Sequence, residues 1–294
     1  FRSPLYSRSA LSQDQCHSST RRSSFFFNDT ATTELYTFVY TLSLHDALPI
    51  YRLVGAVAWS DHPEAAAALP RIGDAFRLDL ERIVRLRATD ALAWARGTPR
   101  QAVDELEALD IEVHVVSTPT LEAIASTLVE LGRLGGSEAS GEAAAGRFRH
   151  RLRALRASFG AGRTPIPVFY QVSREPLFTL GRDHVINEVF ALCEARNVFA
   201  DLDAAAAGVD PEAVFERDPL AIIAGRSGGG DNPVAHWREY GFLRAVRCGH
   251  LMAVDPALLV RPTPRLLDGA ERLCGWLSKQ VRQAEDPACR SDRD

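Results

Sequence analysis

The chain has 294 residues, 46% of them hydrophobic and 24% charged, so it can bury a sizeable core and is neither a disordered segment nor a peptide-like secreted scaffold. Thirty-four Lys and Arg against 38 Asp and Glu give a formal charge of −4, which leaves no global basic field and excludes nucleic acid as a partner held by bulk electrostatics. No run approaches the roughly 18 apolar residues needed to span a bilayer.

Composition changes near residue 51. The first fifty residues are rich in Ser, Thr and Phe, whereas the remainder is rich in Ala, Arg and Leu, with Lys279 its only lysine and Met252 its only methionine. Residues 25–50, FFFNDTATTELYTFVYTLSLHDALPI, have neither helical nor strand periodicity and lack the charged start, apolar middle and small-residue cleavage site of a signal peptide. They resemble the conceptual translation of sequencing-adapter read-through. Residues 1–50 are therefore expected to be a non-native or disordered leader, standing where the native start and any export signal belong.

Beyond residue 51, short apolar runs alternate with helical ones, the pattern of α/β layers with mainly parallel sheets. Leu53–Val57 reads as a strand and Leu80–Leu86 as a helix entered by Asp79 as N-cap. Ala91–Ala95 is a second strand, Pro99–Leu109 a helix with Pro in its first turn, Ile111–Val116 a strand and Pro119–Leu134 an amphipathic helix. Gly135, Gly136 and Ser137 interrupt the pattern. Glu142–Ser158 then reads as one long helix between two lobes, with Phe148, Leu152, Leu155 and Phe159 on its apolar face and Arg147, Arg151 and Arg153 in water.

A second α/β half follows. Val168–Val172, Leu220–Ala224 and Leu251–Val254 read as strands, and Val185–Ala195, Pro211–Arg217 and Pro264–Gln280 as helices. The loop Gly225–Pro233 is glycine-rich but matches neither phosphate-binding pattern, and reads as a flexible loop at a lobe edge. From about Glu285 the chain reads as a polar tail.

No local catalytic signature is read: HExxH and CxxC are absent, and the GxSxG letters at 225–229 lie in a glycine-rich loop with no helix read directly after them, so no nucleophile elbow is expected. His62, His114, His150, His184, His236 and His250 are scattered singly, as surface or hydrogen-bonded residues are, and no metal site is expected. Cys193 and Cys274 both fall on predicted helices of the second half, which is compatible with a disulfide or with two buried thiols. Trp59 and Trp94 fall at the ends of the first two strands and Phe178 in the loop after Val172. Ligands of open α/β sheets bind beyond the carboxyl ends of strands, where such rings suit a large flat ligand.

Four segments carry a resemblance: LVGAVAWSDHPEAAAALPRIGDAFRLDLERIVRLRATDALAW, VDELEALDIEVHVV, VFYQVSREPLFTLGRDHVINEVFALCEARNVFADL and LLVRPTPRLLDGAERLC. In this order, from about Arg52 to Leu277, they resemble the cobalamin-binding substrate-binding proteins of ABC importers. These belong to the helical-backbone, class III periplasmic receptors, which also include haem and siderophore binders. The resemblance implies two Rossmann-like α/β lobes with mainly parallel sheets joined by one spine helix. It implies an N-terminal lobe at 51–136 lacking its first strand and helix, a spine at 137–160, a C-terminal lobe at 161–284 and a tail at 285–294.

By the same resemblance, Trp59, Trp94, Phe178 and Arg261 contact the corrin, Glu81 and Glu212 dock against the permease, and Cys193 and Cys274 form a disulfide. Cleft positions that are aromatic or acidic in the best-known receptor read here as Ala75 or Phe76, Ala206, Ala257 and Leu258, which leaves open a related corrinoid or a metal chelate of similar size. The implied protein is a periplasmic monomer without enzymatic activity. It has no cofactor of its own, cobalamin or a related corrinoid being the transported ligand, and the permease subunits of the importer are its partners. The alternatives are a haem or ferric-siderophore receptor of the same fold and an enzyme resembling a tetrapyrrole metal chelatase.

Overall fold

The computed structural model describes residues 34–37, 53–58, 60, 64–74, 77–95, 98–160, 162–226, 232–284 and 289. Two sheets lie either side of one long helix. The first contains β1 (Glu34–Thr37), β2 (Leu53–Ala56), β3 (Ala88–Trp94) and β4 (Glu112–Val116), all parallel, in the order β2-β1-β3-β4. Its crossovers include α1 (Leu80–Arg85) and α2 (Arg100–Glu107). Asp79 caps α1, its Oδ1 accepting from the Arg82 N–H at 2.9 Å.

β1 corrects one expectation. It falls in the leader that the sequence pattern leaves without an element, yet it pairs with β2 on one side and β3 on the other. Four residues are too few for a period of two to show, so only the pairing reveals the strand.

α3 (Leu121–Leu134) and α4 (Glu138–Phe159) form an antiparallel hairpin through Gly135, Gly136 and Ser137. Gly136 takes φ +62°, a left-handed conformation that glycine adopts without a Cβ penalty. The two helices touch through backbone: a Cβ on Gly141 would stand 2.6 Å from the Leu128 carbonyl oxygen and 2.8 Å from Gly132 Cα. α4 is the spine. Ala144, Ala145, Phe148, Leu152 and Leu155 are buried along it, while Arg147 and Arg153 are exposed.

The second sheet contains β5 (Ile166–Ser173), β6 (Phe178–Leu180), β7 (Ala195–Asn197), β8 (Ala206–Gly208), β9 (Ala221–Gly225) and β10 (Leu251–Val254). Its order is β10-β9-β5-β6-β8, with β7 beside β5. β10, β9, β5 and β7 are parallel; β6 is antiparallel to β5, and β8 is antiparallel to β6. Around it lie α5 (Ile186–Leu192), α6 (Pro211–Arg217), α7 (Arg244–Arg247) and α8 (Leu266–Trp276), which continues as a π-helix to Arg282.

Burial on both faces explains why β5 and β9 read as continuous apolar runs. Val168, Tyr170, Ala221 and Ile223 face one core; Phe169, Ile222 and Ala224 face another, around Trp237. The first of these cores is shared by the two halves, running from Leu92 through the apolar faces of α3 and α4 to α5 and α8. Polar contacts reinforce it. The Leu121 N–H at the start of α3 donates to Glu188 Oε2 on α5 at 2.7 Å, satisfying a helix-end donor with a carboxylate at the positive end of the dipole. Arg151, its side chain still 40% exposed, also bridges the spine to α8 through Asp268 and through Glu271 at 2.8 Å.

Candidate functional site

In both sheets the ends that receive ligands are the carboxyl ends of the parallel strands. Trp94 is the last residue of β3 and is half-buried. Its N–H donates to Thr98 Oγ1 at 2.9 Å and its carbonyl accepts from the Thr98 N–H at 3.0 Å, while the Ala95 N–H donates to the Val116 carbonyl at 2.9 Å. These bonds hold the indole-bearing turn against the end of β4.

Trp59 lies outside the described residues, as do Ala75 and Phe76; of its surroundings, Val57 and Ser60 are held by one side chain. Arg71 Nη1 donates to the carbonyls of Val57 and Ser60, both at 3.0 Å. Sequence reasoning missed Arg71, since nothing in LPRIG announces a partner eleven or more residues away.

Phe178 begins β6 rather than lying in a loop. It pairs with Ser173 at the carboxyl end of β5 and with Gly208 of β8, and its side chain is 37% exposed. Its ring lies against Gly208, 3.8 Å from where a Cβ there would be, an ordinary van der Waals contact. Arg261 is half-buried beyond the 3-10 turn Pro256–Leu258 that follows β10. That turn is packed tightly on the end of β9: a Cβ on Gly225 would meet the Pro256 Cβ at 3.0 Å and Tyr170 Oη at 3.3 Å. Burial pushes the Tyr170 hydroxyl well above the usual phenol range, with Asp255 adding to the effect.

The Gly225–Pro233 loop, expected to be flexible, falls largely on residues 227–231, outside those described. Its far end is fastened by a buried polar pair that sequence reasoning also missed. Trp237 Nε1 donates to Gln171 Oε1 at 2.6 Å, and Gln171 Nε2 donates to the Pro233 carbonyl at 3.1 Å. The only sequence signal was a glutamine inside an otherwise apolar strand.

Glu81 and Glu212 occupy matching positions, each the second residue of a short helix, one in each half. Both are exposed, and Glu81 has only a loose pairing with Arg85 at 3.8 Å. One turn beyond Glu212, the Phe215 ring packs tilted against Tyr240 and edge-to-face against the exposed Phe242, at centroid distances of 4.9 and 5.0 Å.

Cys193 and Cys274 are disulfide-bonded, tying α5 to α8 in the shared core. A second bridge, Cys248–Cys289, was not anticipated. His250 is 3% exposed, with Nδ1 at 3.0 Å from the Leu220 carbonyl, and burial lowers its pKa. His184 Nδ1 accepts from the Ile186 N–H at 3.1 Å.

Two cavities among the described residues border the spine instead of the strand ends. One of about 280 Å³ is lined by Arg156, Gly160, Glu188, Ala191 and Leu192. The other, of about 130 Å³, lies between the spine and Pro264 and Leu267. Neither includes Trp94, Phe178 or Arg261.

Comparison with known proteins decides the family. Residues 47–258 match the family model described as periplasmic binding protein. The chain is a periplasmic binding protein. It is 32% identical over 236 residues to the vitamin B12-binding protein of Vibrio cholerae, covering 79% of this chain and 83% of that one. It is 30% identical to the vitamin B12-binding protein of Yersinia pestis over 245 residues, 83% of this chain and 82% of that one. Among solved structures, the periplasmic vitamin B12 binding protein of Vibrio cholerae superposes with a TM-score of 0.76 at 30% identity, covering 84% of this chain and 97% of that chain. A periplasmic heme binding protein from Pseudomonas aeruginosa gives 0.72 at 27% identity, covering 90% and 100%. This binding protein thus has the two-lobed, helical-backbone fold of the class. Among its described residues no helix is long and apolar enough to cross a membrane.

Proposed function

We propose that this binding protein captures cobalamin or a related corrinoid between its two lobes in the periplasm and delivers it to the permease of an ABC importer. The observation that carries the reading is the collinear 32% identity to a vitamin B12-binding protein across both lobes and the spine. The site supports it. Trp94 and Phe178 stand at the carboxyl ends of the two sheets, where flat rings cover a macrocycle at low entropy cost, and Arg261 follows the last strand with a cation for the corrin edge. Trp59 completes this set. The corrinoid is cargo, so the protein needs no cofactor of its own and acts without chemistry, as a monomer.

Because one continuous core runs across the spine, capture requires only small adjustments of the lobes. Glu81 and Glu212, exposed and one per half, present two acids to basic groups on the permease. Their place in a first helical turn also complements the helix dipole, and the two roles coexist.

Isothermal titration of the purified chain with cyanocobalamin tests the reading. Saturable binding is expected, with Trp94→Ala weakening it about tenfold or more and Trp276→Ala, on the closing helix, leaving it near wild type. Absence of saturable binding at micromolar protein rejects the corrinoid, and a Soret band in the purified protein would replace it with haem. Equal losses in the two variants would indicate general destabilisation.

A further inference from the structure

At the free edge of the first sheet, three metal-ligating side chains converge that ligand capture does not use. Asp90 on β3 and Glu112 and His114 on β4 each offer one ligand atom, and the three atoms lie within 4.8 Å of one another. The parallel register brings this about. Asp90 pairs with Glu112 and Leu92 with His114, so all three side chains leave the same face of the sheet. Asp90 is 5% exposed, Glu112 is exposed and His114 lies between.

Two carboxylates stand directly across a strand pair, where like charges repel and a shared cation would relieve them, and the buried one, Asp90, is already held in place by neighbouring side chains. We propose that Asp90, Glu112 and His114 form a binding site for a divalent transition-metal ion of the zinc class, with water completing the coordination. One imidazole and two carboxylates are a ligand set for such ions, whereas calcium and magnesium favour oxygen alone.

The geometry is close to assembled. Metal bonds of about 2.0–2.2 Å place neighbouring ligand atoms roughly 3 Å apart. His114 Nε2 and Asp90 Oδ1 are already 2.9 Å apart. Glu112, at the exposed rim, closes the set by rotation. The Thr89 hydroxyl donates to Asp90 Oδ2 at 2.7 Å, fixing the carboxylate in the manner of an outer-shell partner. The site lies toward the amino ends of the strands, about 13 Å along β3 from Trp94, so it clamps the edge strand without entering the ligand cleft. It is independent of the corrinoid reading.

The test is calorimetric titration of the metal-stripped full chain with zinc chloride at neutral pH, alongside thermal melts with and without zinc. Cys16, His17 and His45 in the leader are of residue types that also ligate zinc, so the readout is the difference between variants. Wild type is expected to show one site that His114→Ala removes and Glu112→Gln weakens about tenfold or more, with a zinc-dependent rise in melting temperature that both variants diminish. Glu112 is exposed, so Glu112→Gln leaves the fold intact even if His114→Ala does not. Equal zinc affinity and stoichiometry in wild type and Glu112→Gln, or no stabilisation of wild type by zinc, overturns the site.

Discussion

Two glycines on the spine, substituted identically, should move stability in opposite directions. Replacing glycine by alanine inside a helix gains roughly 0.5–1 kcal/mol by reducing the freedom of the unfolded chain. At Gly146 nothing lies within 4 Å of the new methyl group, so Gly146→Ala should realise that gain. At Gly141 the methyl would stand 2.6 Å from the Leu128 carbonyl oxygen and 2.8 Å from Gly132 Cα. Both obstacles are backbone, which no rotamer change relieves, so α3 and α4 must part at a cost near the upper end of the 1–3 kcal/mol typical of overpacking. The net expectation for Gly141→Ala is a loss of about 2 kcal/mol after the propensity gain, a fall of roughly 4–8 °C in melting temperature. Urea and thermal melts followed by far-UV circular dichroism measure both variants side by side. If Gly141→Ala stabilises as Gly146→Ala does, the two helices are not in backbone contact and the description of the spine hairpin is wrong.

Breaking the Cys193–Cys274 bridge by Cys274→Ser removes a link across 81 residues, worth about 4–5 kcal/mol on the chain-entropy model; a urea midpoint insensitive to reductant in wild type would contradict the bridge. Burial lowers the pKa of His250, so the unfolded imidazole takes its proton first as pH falls. Stability should be full above about pH 6.5 and decline below it until the depressed native value is passed. His236, also lowered by burial, contributes in the same sense. His250→Asn should flatten, without abolishing, the slope of urea midpoint against pH, and an unchanged slope would remove His250 from the account. Reversing charge at Glu81 and Glu212 together should spare corrinoid titration yet impair uptake in vesicles carrying the permease, and undiminished uptake would refute their docking role.

Local chemistry made much of the fold legible. Asp79 before LERIV marked α1, and the apolar run of β9 marked a strand buried on both faces, with Ala221 to Ala224 fully inaccessible. What escaped depends on distant partners. β6, β7 and β8 have three residues each, too short for alternation, and exist because β5 offers an edge to β6 and β7, and β6 in turn to β8. The helix expected through Ala195 stops earlier: Cys193 caps it, Glu194 turns to φ +52°, and Ala195 enters β7. Arg151 carried no sign of its acids on α8, more than a hundred positions away.

The candidate site divides along the same line. Residues at strand ends, such as Trp94, follow from topology alone, and Glu81 and Glu212 from their place in a first turn. Arg71, Gln171 and the Asp90–His114 pair act through neighbours that only the folded sheet supplies.

The two bridges cross. In chain order Cys193 joins the third cysteine of the second half and Cys248 the fourth, one of three ways to pair four thiols. A chain emerging from its amino end exposes Cys193 and Cys248 together before either native partner exists. Their bond would be a trap that thiolate exchange must undo. Neither native link can close until α8, at the far end of the sequence, has been made and seated against α5. Oxidation therefore serves as a late inspection of the C-terminal lobe, sealing it only after its last helix is in place.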